Sequence, residues 1–181
     1  MAFTRRRILA GAAAATTIAA PAVAQQSGEL RWRLASSFPK SLPILFNAAE
    51  NLARRVDQLT KGRFKIQVFA AGEIVGGLQV LDAVGAGTIE CGHSATFYYT
   101  GKDKALAFDT GLPFGLNSRQ HIAWMMQGGG LELLRPLFAR FGVVQFPLGN
   151  TGCQMGGWFR KEIKTVADLS GLKMRIPGIG G

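Results

Sequence analysis

Apolar and polar residues alternate strictly in two short runs near the start of the chain. Leu30, Trp32 and Leu34 alternate with Arg31 and Arg33, and Phe64, Ile66 and Val68 alternate with Lys65 and Gln67. A period of two predicts strands. Between the runs the period changes: Leu45, Ala48, Ala49, Leu52, Val56 and Leu59 recur at helical spacing, with Ser41 as the expected cap, Pro43 in the first turn and Gly62 past the end. The three elements predict a β-α-β unit with a right-handed crossover. The pattern repeats with a helix over 78–84 closed by Gly85-Ala86-Gly87, a short strand at Ile89-Glu90-Cys91, and a polar-aromatic loop over 94–101.

Two more helices are expected over 122–126 and 131–141, separated by Gly128-Gly129-Gly130, followed by an extended run over 143–146 and a turn or crossover at Gly149-Asn150-Thr151-Gly152. Beyond it the pattern predicts a strand over 154–159, a short helix over 166–169 and a strand over 172–176. This is an α/β sheet protein. In such sheets ligands bind beyond the carboxyl ends of the strands, which makes Phe97-Tyr98-Tyr99 a candidate site. A chain that stops on Ile-Gly-Gly directly after a strand due to feed a helix reads as one cut within a second domain.

Residues 1–24 carry a different pattern: Arg5-Arg6-Arg7, a weakly apolar stretch, Pro21, and the small-residue triplet Ala22-Val23-Ala24. That is the layout of an export signal cut after Ala24, and the paired arginines before Ile8-Leu9 resemble a twin-arginine signal, with Ile8 and Ala10 where Phe and Lys are usual. The apolar stretch falls short of the roughly 20 residues of a spanning helix and is interrupted by Gly11, Thr16 and Thr17. Residues 25–181 are therefore expected to be soluble and periplasmic. At 48% hydrophobic and 18% charged the chain has the composition of a globular domain and not of a disordered one. The formal charge of +10 falls to +7 without Arg5, Arg6 and Arg7, and the remaining basic residues are scattered without interleaved aromatics, which argues against nucleic acid. Cys91 and Cys153 read as free buried thiols rather than a stapled scaffold.

Most motif-like segments carry little chemistry. Gly92-His93-Ser94-Ala95-Thr96 lacks the last glycine of a nucleophile elbow. Gly85-Ala86-Gly87 follows a helix instead of opening one, unlike a dinucleotide fingerprint. Glu90, Cys91 and His93 alternate on a strand and cannot all face one ion. What remains is Tyr98-Tyr99, Gln154, Trp158 and Arg175. An arginine flanked by Met174 and Ile176 would be partly buried and in need of an anion. Its planar fork suits a ligand carboxylate, but an internal pair with Glu90 or Asp109 satisfies it equally well.

The segment Gly149-Asn-Thr-Gly-Cys-Gln-Met-Gly-Gly-Trp-Phe-Arg-Lys-Glu-Ile163 and the later Asp168-Leu-Ser-Gly-Leu-Lys-Met-Arg-Ile-Pro-Gly178 resemble the substrate-binding proteins of tripartite ATP-independent periplasmic (TRAP) transporters, DctP-like, nearest the branch for 2-oxo acids and other monocarboxylates. The resemblance implies a periplasmic binding protein-like (type II) α/β fold of two domains, truncated within the second: a signal peptide over 1–24, a first domain over 25–148, and the crossover with the start of a second domain over 149–181. It implies that Arg175 binds the ligand carboxylate, that Gln154 holds the ligand and a cation, and that Tyr99 donates from the first domain, with Tyr98 in its place if the loop register is off by one. Phe38 and Asn150 are weaker candidates for lining the cleft, and Trp158 reads as core packing. The implied protein is no enzyme: it requires no cofactor, carries a bound Na+ or Ca2+ in its complete form, captures a small organic acid anion and delivers it to TRAP membrane permease subunits, with a homodimer only at full length. The alternatives are an exported enzyme acting on a carboxylic acid through Glu90 or His93, and a non-functional fragment of the binder.

Overall fold

Strands form where the alternating runs find partners. In a computed structural model that describes residues 28–110, 112–152 and 156–176, β1 (Leu30–Ser36) pairs in parallel with β2 (Phe64–Phe69), Leu34 opposite Val68. On its other side β1 pairs in parallel with β3 (Cys91–His93), giving the order β2-β1-β3. All three carboxyl ends thus lie along one edge of the sheet.

The crossover between β1 and β2 is α1 (Pro43–Leu59), as its apolar spacing predicts. Its start corrects the expected cap. The N-cap is Leu42, one residue after Ser41, and no side chain bonds there; Pro43 presets the first turn, while the Leu42 carbonyl accepts the N–H groups of Leu45 and Phe46. At the other end Gly62 takes φ +78 and donates its N–H to the Asp57 carbonyl at 2.9 Å.

A 3-10 turn (Gly77–Gln79) leads into α2 (Val80–Gly85), which packs on β3. Close approach there requires Gly92, since a Cβ at that position would stand 2.5 Å from Val80 Cγ1 and 3.1 Å from Val84 Cγ2. The third strand is displaced from the expected 89–91. The Ile89 N–H bonds back to Ala83 at the end of α2, so the ladder begins only where Cys91 meets Leu34.

A 3-10 turn (Thr96–Tyr99) follows β3, then α3 (Ala107–Thr110), α4 (Ser118–Gln127) and α5 (Gly130–Ala139). Helix α4 opens with a capping box between Asn117 and Gln120, and Gly129 at φ +84 turns the chain into α5. Leu81, Tyr99, Leu106, Met125, Leu134 and Phe138 form one buried cluster, and Ala35, Val80 and Ile89 a second under the sheet. The aromatic turn after β3 is therefore rooted in the core that α4 and α5 complete.

Beyond α5 the expectation of strands is corrected. Among the described residues, 143–146, 156–159 and 172–176 form no strand, and only the helical turn at Val166–Leu169 is regular. A strand exists by pairing, and these runs have no partner ladder among the described residues. Trp158 is 87% exposed, so it is no core residue here. Cys153, Gln154 and the segment read as a signal peptide lie outside the described residues.

Candidate functional site

β1 and β3 end side by side, Ser36 opposite His93, and the residues just past them converge. Phe38 is buried, its ring edge-on to His93 with centroids 5.0 Å apart and tilted against Tyr98 at 6.2 Å. Phe97 also lies edge-on to Tyr98, at 4.7 Å. Phe38, His93 and Tyr98 thus make an aromatic wall at the carboxyl end of the sheet, which is where an α/β sheet presents ligands.

The adjacent tyrosines do different work. Tyr99 is 3% exposed, and its hydroxyl accepts the Leu81 N–H at 3.2 Å and lies 2.9 Å from Ser94 Oγ. Ser94 Oγ in turn lies 2.7 Å from Ser37 Oγ, which is 2.6 Å from the Gly77 carbonyl oxygen. A hydroxyl has one proton, and the carbonyl can only accept, so Ser37 donates to Gly77, Ser94 to Ser37 and Tyr99 to Ser94. Each buried donor in this line is satisfied, and Tyr99 has no hydroxyl proton left for a ligand. Tyr98 is half-buried, and its hydroxyl makes no hydrogen bond among the described residues. Of the two, Tyr98 is the half-buried hydroxyl without a bonded partner among the described residues, and Tyr99 is the buried post beneath it.

Acid-base chemistry has little to work with here. Burial pushes His93 down to about 4, so the ring is neutral at ordinary pH. Its Nδ1 lies 3.2 Å from Ser36 Oγ, which is wholly buried and out of a substrate's reach, and not against Ser94, so the pair is not of the nucleophilic kind. Glu90 is held on both oxygens by the Arg33 guanidinium, at 2.7 and 3.0 Å, and accepts the Arg33 N–H as well; those bonds hold its carboxyl at about 2. A carboxylate so bound is a poor proton shuttle. Cys91 is a free thiol pushed up to about 11 by burial, and inert for that reason.

Of the remaining candidates, Asn150 and Arg175 bond to nothing in this wall. Asn150 is exposed; its Oδ1 accepts the Ser118 hydroxyl at 2.6 Å and the Gly152 N–H at 2.7 Å, which ties the crossover to the start of α4. Arg175 is exposed rather than partly buried, its segment pairing with no strand among the described residues. The internal partners expected for it are taken: Glu90 by Arg33, and Asp109 by Gln145 at 3.4 Å. No hydrogen bond or ion pair ties Arg175 to the described residues. Among the described residues no group of three or more His, Cys, Asp and Glu could hold a metal ion, and Gln154 lies outside them.

Ser36 and Ser37 went unread in the sequence, where Ser94 figured only in the incomplete elbow motif. Their one visible signal is Ser36-Ser37 ending an apolar strand, where a buried hydroxyl must find a partner.

Comparison with known proteins follows the same lines. The profile described as "Bacterial extracellular solute-binding protein, family 7" matches residues 35–179. A monocarboxylate 2-oxoacid-binding periplasmic protein of Nostoc sp. is 55% identical over 186 residues, covering 98% of this chain and 51% of that protein. A TRAP transporter solute-binding protein from Bordetella bronchiseptica, crystallised as a dimer with copurified calcium and picolinate, superposes with a TM-score of 0.81 at 55% identity, over 84% of this chain and 45% of that one. A TRAP periplasmic solute-binding protein from Pseudoalteromonas atlantica with bound sodium and pyruvate gives 0.80 at 45% identity, over 84% and 46%. The chain spans about half the length of the curated relatives it matches.

Proposed function

The chain belongs to the bacterial extracellular solute-binding proteins of family 7, and on that premise we propose that it supplies the first wall of a periplasmic receptor for a small 2-oxo acid or similar monocarboxylate, which it delivers to a TRAP permease. The observation that carries this reading is the uncharged aromatic wall of Phe38, His93 and Tyr98 at the carboxyl ends of β1 and β3. The half-buried faces of His93 and Tyr98, backed by the buried Phe38 ring, pack against the acid's carbon skeleton, and the Tyr98 hydroxyl donates to one of its oxygens.

The charge is met from the other side of the cleft. Residues 25–148 form one domain and 149–181 the crossover and the start of the next; Arg175 on the latter grips the carboxylate with its fork, Asn150 lines the crossover, and Gln154 holds the ligand together with a cation of the kind named for the crystallised relatives, sodium or calcium. The chain reaches the periplasm through its twin-arginine-type leader, residues 1–24, and pairs as a homodimer at full length. Family membership and the bonded state of Glu90 favour capture over chemistry.

Calorimetric titration of pyruvate, with succinate as a contrast, into protein encoded to its own stop codon tests the reading. Arg175→Ala abolishes binding, and Arg175→Lys weakens it strongly because a point charge replaces a fork. Unchanged affinity in both variants removes Arg175 from the site, and turnover of pyruvate in place of its recovery overturns the receptor itself.

A further inference from the structure

We infer that Ser36 and His93 form an uncharged clamp that fixes the aromatic wall, with His93 a positioning residue rather than a ligand contact, so that the first domain selects the acid by shape and leaves its charge to others. The inference rests on the receptor reading above for its ligand, but not for its geometry.

Ser36 is the starting point because it is 0% exposed at the end of a strand. Its oxygen accepts the Phe38 N–H at 3.1 Å, and its one proton must then go to an acceptor within the same buried space. Nδ1 of His93, at 3.2 Å, is that acceptor. Nδ1 is therefore bare and the ring proton sits on Nε2. Were Nδ1 the donor, the Ser36 proton would be stranded.

The same two residues set the wall. Ser36 holds the Phe38 backbone through the N–H, and His93 holds the Phe38 ring edge-on at an interplanar angle of 63°. Phe38 passes the constraint to Tyr98, whose ring lies at 53° to its own. An imidazolium would carry a proton on Nδ1 and donate it to the second lone pair of Ser36 Oγ, which leaves the Ser36 proton without an acceptor in the buried space. The clamp works only while the ring is neutral, which is why an anion-binding protein places an uncharged histidine here.

Two measurements on protein encoded to its stop codon test this. Long-range 15N-1H correlation of the histidine rings, with His121→Gln to assign them, is expected to show His93 protonated on Nε2 alone, and Ser36→Ala to erode that preference. In pyruvate titrations His93→Phe keeps a ring but strands the Ser36 proton, with affinity expected to fall about three- to tenfold, the worth of one neutral hydrogen bond. Adding Ser36→Ala to His93→Phe removes the stranded group and is expected to recover most of the loss, which a histidine donating to the ligand would not allow. Protonation of Nδ1 in the unsubstituted protein, or no recovery in the double variant, overturns the clamp. Failure of the unsubstituted protein to bind pyruvate overturns the receptor reading instead, and the ring spectra then decide the clamp alone.

Discussion

Two regions of this chain carry the same alternating pattern and meet different fates. In 30–36 and 64–69 the alternation becomes a parallel ladder, whereas in 172–176 no strand forms. The residue types do not distinguish them: Leu-Arg-Trp-Arg-Leu in the first region has its counterpart in Leu-Lys-Met-Arg-Ile in the second. What differs is the company each keeps. β1 lies between two strands with its carboxyl half buried, while the later run has no ladder partner among the described residues and holds Arg175 in solvent. Alternation specifies which face a strand would bury; a partner decides whether there is a strand.

The contrast can be broken most forcefully at Leu34, which is buried in the middle strand. Leu34→Ala is expected to lower stability by about 2–5 kcal/mol in urea unfolding, the usual range for a core leucine. Acid acts next. His93 titrates at about 4 in the folded chain against an ordinary 6.5, so the unfolded chain binds the extra proton first as pH falls. The contribution of the neutral ring is complete above about 6.5 and is lost progressively down to about 4, on the order of 3 kcal/mol at most. Thermal midpoints compared at pH 7 and pH 4.5 should show this slope shrink in His93→Phe. Tyr99→Phe comes third: it deprives the Leu81 N–H of its acceptor and Ser94 of its donor, an expected loss of about 1–3 kcal/mol in the same urea assay. Smallest is Trp158→Ala in the exposed region, which should stay within about 0.5 kcal/mol.

How far the sequence could be read follows the same division. β1, α1 and β2 were legible because their periods are clean and each element has a neighbour in sequence to pack on. The displacement of β3 was not, since it depends on Ile89 being drawn into the end of α2, a contact between backbone groups that leaves no mark in residue type. Among the candidate residues, Tyr98 could be placed at a strand end by pattern, whereas Phe38 came from the family resemblance. The difference in burial between Tyr98 and Tyr99 could not be read, because it turns on where a short 3-10 helix aims two identical side chains. Serines give the weakest signal of all: Ser36, Ser37 and Ser94 look like loop residues until their partners, 40 or 57 positions away in the chain, are known.

The first amides of a helix have no carbonyl to bind within it and ordinarily trade their hydrogens with water almost at once. Leu81, the second residue of α2, has instead surrendered its amide hydrogen to the Tyr99 oxygen. Its deuterium uptake should therefore lag behind that of an ordinary helix start. That single amide is a clock for the contact between α2 and the turn after β3: it exchanges only when Leu81 and Tyr99 part. A ligand held against the aromatic wall would slow the clock from the far side of the turn, without touching Leu81 at all.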